Sequence, residues 1–370
     1  MVRGRRKRPR ADDDDLLLFA AVRSRYVRMA LLLSLERGRA RLDLADPFAD
    51  CAIRMPGLRL NLASMCTTEC LRFFRFTLSE LKQLVVELEL PGIVITREGY
   101  ACNALEGIAV LCRRLAYPNR LVDLEPMFHR SSSALCAIAL HMVMDLWRRF
   151  KGVVEWDRDR IAAKLPIYAA AIRGKGAPLD TCWGFIDGTA RSICRPGRYQ
   201  RVAFSGHKRM HKLKYQAIAT PDGLISHFFG PVEGRRHDVV VLRESGIQAR
   251  LEGDAAFAGY VIYGDGGYAC KSFLVAPYRG AELSPDQRAF NLAMSRMRIC
   301  VEWMFGYVIK YWAFVDFTKT QKALLSPVGP MYGVCVLLVN CRTCIAGGNQ
   351  TSESFRLTPD SLHQYLHHHA

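Results

Sequence analysis

Trp183-Gly184-Phe185-Ile186-Asp187-Gly188-Thr189 reads as a short apolar strand running into an acid and then a glycine turn. The same texture returns in Tyr260-Val261-Ile262-Tyr263-Gly264-Asp265-Gly266-Gly267. In both stretches strand-type apolar residues are bounded by glycine, and an aspartate stands where the strand is expected to stop. An acid at a strand end can project beyond the sheet, where a ligand can reach it. If the two strands are sheet neighbours, Asp187 and Asp265 converge despite their separation in sequence.

Between and beyond these strands the pattern continues in a defined order. Tyr215 to Ala219 and residues 224–229 flank the turn Pro221-Asp222-Gly223, a hairpin signal. A helix is expected over 239–251, just after His237-Asp238, and a long one over 291–309 that carries Glu302, with Arg298 one turn earlier on the same face. Taken singly, each acid has a plainer reading: Asp238 as a helix cap, Glu302 as a partner of Arg298, and Asp222 and Asp254 as turn residues. The order strand-Asp, hairpin, helix, strand-Asp, helix-Glu weighs against the plain readings together, because it is the order of a ribonuclease H-like nuclease fold.

Upstream the texture is helical. Thr77-Leu78-Ser79-Glu80 has capping-box spacing ahead of Leu81, Leu84, Val85 and Leu88, and Pro91-Gly92 stops that helix. Further helices are expected over 98–115, 121–128, 131–150 and 157–173. The pair 121–128 and 131–150 has helix-turn-helix character, with Arg130, Ser131 and Ser132 at the start of the second helix facing a phosphate or base edge. An ordinary serine-capped helical hairpin is the plain alternative. Gly174 to Pro178 is the expected joint between this all-α region (19–175) and the α/β domain (180–345). Residues 1–18 are expected to be a disordered charged leader, and 346–370 a polar tail, with His367 to His369 read as solvated rather than as a metal site.

Composition sets the partner class. The chain carries 52 Lys and Arg against 35 Asp and Glu over 370 residues, a net charge of +17. The first fifteen residues hold six bases and four acids, so the surplus belongs mainly to the rest. Such a protein attracts polyanions, nucleic acid most commonly, although a merely soluble basic protein has the same arithmetic. The cluster Arg3-Gly4-Arg5-Arg6-Lys7-Arg8-Pro9-Arg10 suits nuclear import. Half of the residues are apolar, enough for a sizeable core. No apolar run reaches the ~18 residues of a membrane span. The thirteen cysteines follow no secretory pattern and are expected as reduced thiols of the nucleus or cytoplasm. Neither Cys66/Cys70 nor Cys341/Cys344 has a second Cys or His pair at zinc-finger spacing.

The motifs together resemble the PIF/Harbinger class of DDE transposases and the nucleases domesticated from them. The resemblance is carried by Gly184 to Thr189, Phe204-Ser205-Gly206-His207-Lys208-Arg209 with Lys214-Tyr215-Gln216, residues 230–238, Gly264 to Tyr268 with Pro277-Tyr278, Asn291 with 298–306, and the closing Leu337-Leu338-Val339-Asn340-Cys341. Met210-His211 and Val339-Asn340-Cys341 depart from the family's pattern without touching the acids.

The resemblance implies a ribonuclease H-like domain behind a helical DNA-binding region, acting as a metal-dependent endonuclease or transposase that cleaves at transposon ends and transfers strands. Asp187, Asp265 and Glu302 fall on its catalytic acids, and Asp238 on a supporting ligand; together they would hold Mg²⁺ or Mn²⁺, as two ions, since oxygen-only ligands suit hard cations. His207, Lys208, Arg209, Lys212, Lys214, Arg235 and Arg236 are candidates for phosphate contact. A second DNA-binding partner protein and a homo-oligomer are left open. Rival readings are a domesticated, non-catalytic DNA- or chromatin-binding protein that keeps the fold, and an RNA-directed nuclease.

Overall fold

Helix boundaries follow local chemistry first. Helix α1 spans Thr67–Phe74 and α2 spans Leu78–Glu87. Thr77 caps α2: its hydroxyl accepts from the Glu80 N–H at 3.2 Å while the Glu80 carboxylate accepts from the Thr77 N–H at 2.7 Å. A hairpin of β1 (Ile93–Ile95) and β2 (Ala101–Asn103) follows, and α3 covers Ala104–Ala116. The helix expected over 98–115 therefore starts late. Asn103 is the reason, because its side chain caps the new helix by accepting from the Glu106 N–H at 2.8 Å. Next come α4 (Glu125–Phe128), α5 (Ser132–Glu155) and α6 (Arg158–Gly174).

In this computed structural model the described residues are 60–206 and 208–367, and they fall in one compact unit. The charged leader, the basic cluster at 3–10, the onset of the helical pattern from residue 19, and His207, His368 and His369 lie outside the described residues.

The sheet is built from β3 (Cys182–Ser192), β4 (Phe204–Ser205), β5 (Met210–Ala219), β6 (Ile225–Glu233), β7 (Val261–Tyr263) and β8 (Leu274–Val275). Helix α7 (Gln200–Ala203) precedes β4, and α8 (Asp238–Glu244) and α9 (Ile247–Glu252) join β6 to β7. The expected single helix over 239–251 is split because Gly246 adopts φ +69°, a conformation that ends one helix and starts the next. β6 pairs with β5, β5 with β3, β3 with β7 and β7 with β8; the first two pairings are antiparallel and the last two parallel.

One sequence expectation changes here. β3 does not stop at Asp187 but continues to Ser192, because β5 pairs with it as far as Ser192↔Lys212. Its partnership with β7 does end early, at Phe185↔Tyr263. Asp187 thus sits where the sheet forks.

Both sheet faces are covered, as strands with parallel neighbours require. Ile186 and Ile218 pack with Ile161, Leu165 and Tyr168 of α6 and with Leu242, Ile247 and Leu251. Phe185, Tyr215 and Ala217 face a larger core that includes α10 (Pro285–Tyr311) and α11 (Val328–Ala346). Among the described residues α11 is long and apolar enough to span a membrane, but 83% of it is buried in the fold, which is how a core helix of a globular domain reads. The last stretch, read as a polar tail, instead forms α12 (Gln350–Phe355) and α13 (Leu362–His367). Phe355, Leu362, Tyr365 and Leu366 are buried, and the Tyr365 side chain meets Asn340 of α11 at 2.9 Å. A few large side chains anchor the segment while polar neighbours hide it from a composition-based reading.

Candidate metal and nucleic-acid site

The fork in the sheet builds the site. β3 and β7 run parallel in the register Phe185↔Tyr263, so Asp187 and Asp265 each stand two residues past the last pair. Asp238 opens α8 on the other face, directly over the backbone of Gly188: a Cβ placed there would lie 3.0 Å from an Asp238 carboxylate oxygen. A Cβ on Gly267 would come within 2.9 Å of Asp265 and 3.3 Å of Asp238. With no side chain at these two glycines, the Asp238 and Asp265 carboxylates pack against the backbone, and Asp187 joins them by accepting from the Gly188 N–H at 2.7 Å.

Glu302 arrives from α10 through Arg298. The guanidinium donates to Asp187 at 2.5 Å and to Glu302 at 2.9 Å, linking the strand acid to the helix acid. Glu302 is half-exposed. Lys214 of β5 lies 3.1 Å from Asp238.

Burial and like charge act together on the ionisable groups of this cluster. Burial, with help from Asp265, pushes the Asp187 carboxyl up to about 6, and the opposing pull of Arg298 and the Gly188 N–H does not restore it. Tyr268, buried behind the acids, has its phenol pushed well up by burial and then by Asp238, Asp187 and Asp265. Its hydroxyl oxygen has no hydrogen-bond partner. The oxygen-only donor set suits a hard divalent ion such as Mg²⁺ or Mn²⁺, but no three of these carboxylates have ligand atoms within 4.8 Å of one another in this structure.

The basic candidates separate into two groups. Lys212 and Lys214 alternate along β5 on the Asp238 side, and Lys208 and Arg209 lie exposed in the turn before that strand. Burial and the like charges of Lys208, Lys214 and Arg191 lower the Lys212 pKa, a sign of concentrated positive potential. Arg235 is exposed just ahead of α8, while Arg236 is half-buried and bonded to Glu233 at 3.2 Å.

The second group sits far from the acids in the helical region and is engaged within the fold. Arg130 forms a largely buried ion pair with Glu106 at 2.5 Å and also bonds the Ala101 carbonyl. Ser131 caps α5 through the Ala134 N–H, and Glu125 accepts from both the N–H and the hydroxyl of Ser132. Helix α5 itself packs against α3, α11 and β6. The sequence signal for a helix-turn-helix corresponds, in the fold, to a helical pair whose second member is a core helix.

Two contributors were not legible as parts of the site. Arg298 was visible as a neighbour of Glu302, but its reach to Asp187 depends on how α10 docks. Tyr268 carried no signal beyond its place in the Gly264 to Tyr268 motif.

A mixed α/β domain with carboxylates gathered where its sheet forks fits the fold of a DDE nuclease. Residues 186–340, somewhat under half of the chain, match the family model described as DDE superfamily endonuclease. The matched stretch contains all four acids, Arg298, and the basic segment ahead of β5. No curated protein and no solved structure matches the chain.

Proposed function

We propose that the protein is a metal-dependent DNA endonuclease of the transposase type, with a ribonuclease H-like catalytic domain closest to the PIF/Harbinger class. The observation that carries this reading is the convergence of Asp187, Asp238 and Asp265 around Gly188 and Gly267, with Glu302 joined to them through Arg298. The sheet order, three antiparallel strands followed by two parallel ones, supports the ribonuclease H-like assignment.

In this reading Asp187, Asp265 and Glu302 hold the divalent ions, with Asp238 assisting. Bound Mg²⁺ or Mn²⁺ supplies activation of a water or 3′-hydroxyl and stabilisation of the leaving oxygen. Arg298 keeps Asp187 and Glu302 oriented toward one another, and Gly188 and Gly267 let the Asp238 and Asp265 carboxylates lie close to the backbone. Lys208, Arg209, Lys212 and Arg235 lie along the path of the DNA backbone and neutralise its phosphates. His207, and the cluster at 3–10 that would direct nuclear import, belong to the same reading. Strand transfer, a second DNA-binding partner and a homo-oligomer are consistent with it.

Cleavage of duplex DNA bearing candidate terminal repeats, with Mg²⁺ or Mn²⁺, tests the reading beside Asp187→Ala. Loss of a charged group at such a centre lowers the rate by roughly 10³-fold or more. Equal cleavage by both proteins would remove the nuclease site assigned here, and cleavage by neither while both bind DNA would favour the non-catalytic DNA-binding alternative.

A further inference from the structure

A second cluster of ligating side chains lies on the helical side of the protein, away from the carboxylates. Glu87 is the last residue of α2, and His363 and His367 stand one turn apart on α13. His363 Nδ1 is 3.0 Å from Glu87 Oε2, and His367 Nε2 is 3.8 Å from the same oxygen. All three groups offer ligand atoms within 4.8 Å of one another. A tetrahedral ion with bonds of ~2.0–2.1 Å spaces its ligands ~3.4 Å apart, which falls between the two Glu87 distances.

The charge around the cluster asks for a cation. A glutamate at a helix C-terminus faces the negative end of the helix dipole, an unfavourable place for it. Glu89 adds a second carboxylate, 3.9 Å from His367 Nδ1, while His367 Nε2 donates to the Glu87 carbonyl at 2.8 Å, a bond that an ion on Nε2 would replace. Arg149, at the same helix end, is committed to Asp145 and to the Leu88 carbonyl. Two imidazoles at i and i+4 converging on one carboxylate form a donor set of the type that zinc takes, with nitrogen ligands that Mg²⁺ does not favour.

We propose that Glu87, His363 and His367 bind one divalent transition cation of the zinc class, which fastens the C-terminal helix α13 to the end of α2. Water completes the coordination, and Glu89 orients the His367 ring from its Nδ1 side. The site is structural rather than catalytic: a metal there bridges residues more than 270 positions apart in sequence and resists the fraying expected of a terminal helix.

Titration of the full-length protein with Co²⁺, in excess Mg²⁺ to fill oxygen-only sites, reads the coordination through the visible absorption of tetrahedral cobalt. Zn²⁺ should displace the signal. His363→Ala and Glu87→Gln should each weaken binding by roughly tenfold or more. His363 is 73% exposed in its side chain, so its replacement leaves the fold intact. His368→Ala/His369→Ala should bind as the parent does. Absence of tetrahedral cobalt in the parent, its survival in His363→Ala, or its loss in the His368/His369 variant would each overturn the proposal. Hydrogen exchange in residues 362–367 should slow when Zn²⁺ is added; unchanged exchange would remove the fastening role.

Discussion

Arg298 is the residue on which the charge balance of the acid cluster turns. Burial raises the Asp187 carboxyl to about 6, and Arg298 is the largest influence pulling it back down. Arg298→Gln should therefore move the Asp187 titration higher still in the metal-free protein, as read by carbon-detected NMR of its carboxyl. A downward shift or none would mean that Arg298 is not its governing partner. Legibility at this scale depends on reach. The i, i+4 spacing made the Arg298–Glu302 contact readable, whereas the contact with Asp187 spans 111 positions and exists only through tertiary docking. Asp222 shows the same limit. It reads as a plain turn residue of Pro-Asp-Gly, and in the fold that turn is buried and Asp222 accepts from Thr220 at 2.6 Å, Tyr168 at 2.5 Å and Arg160 at 3.4 Å. Composition marks a turn without saying how deep it lies.

Helices with chemical punctuation were readable with their starts, and others such as α3 only as stretches with shifted bounds. The capping box at Thr77 and the serine ahead of α5 mark real starts. Ser284-Pro285-Asp286-Gln287 carries an equally good start for α10, earlier than the apolar pattern suggested, since the first turns face solvent and lack periodicity. Strand β2 was absorbed into a helix and β1 went unread, because three-residue strands are too short to show a period. Helix α11 illustrates what packing adds to propensity. Gly333 sits in its interior, where a Cβ would come 2.1 Å from the Trp147 ring of α5. Helix propensity alone favours alanine over glycine by about 1 kcal/mol. Close approach of the two helices opposes it, so Gly333→Ala should destabilise the protein by about 1–3 kcal/mol in a denaturant titration. A neutral or stabilising result would show that the α5–α11 contact yields to a methyl group.

Across the whole molecule, the helical region and the sheet are joined where α5 ends. Trp156 makes a bridge with His227 of β6, and their rings meet edge to face at 6.1 Å. His227 Nδ1 contacts the Glu155 carbonyl at 2.6 Å, while its Nε2 is buried without a partner. The order of strands and acids could be read from the sequence, but this joint could not: neither Trp156 nor His227 belongs to a motif, and their meeting follows from the closure of the fold. Burial lowers the His227 pKa from 6.5 to about 4, so the folded protein keeps the ring neutral where the unfolded chain protonates it. Between those values the unfolded state binds more protons, and stability falls as the pH drops. Above pH ~6.5 this contribution is intact; below it, about 1.4 kcal/mol is lost per pH unit until pH ~4. From pH 7 to pH 5 the parent should thus lose about 2 kcal/mol more than His227→Gln, in which nothing titrates at this position. The variant starts lower at pH 7, having lost the ring's packing, and its curve should be flatter over that interval. Parallel losses in parent and variant, measured by denaturant midpoints at the two pH values, would show that the joint admits a proton or water and that the acid sensitivity of the fold arises elsewhere.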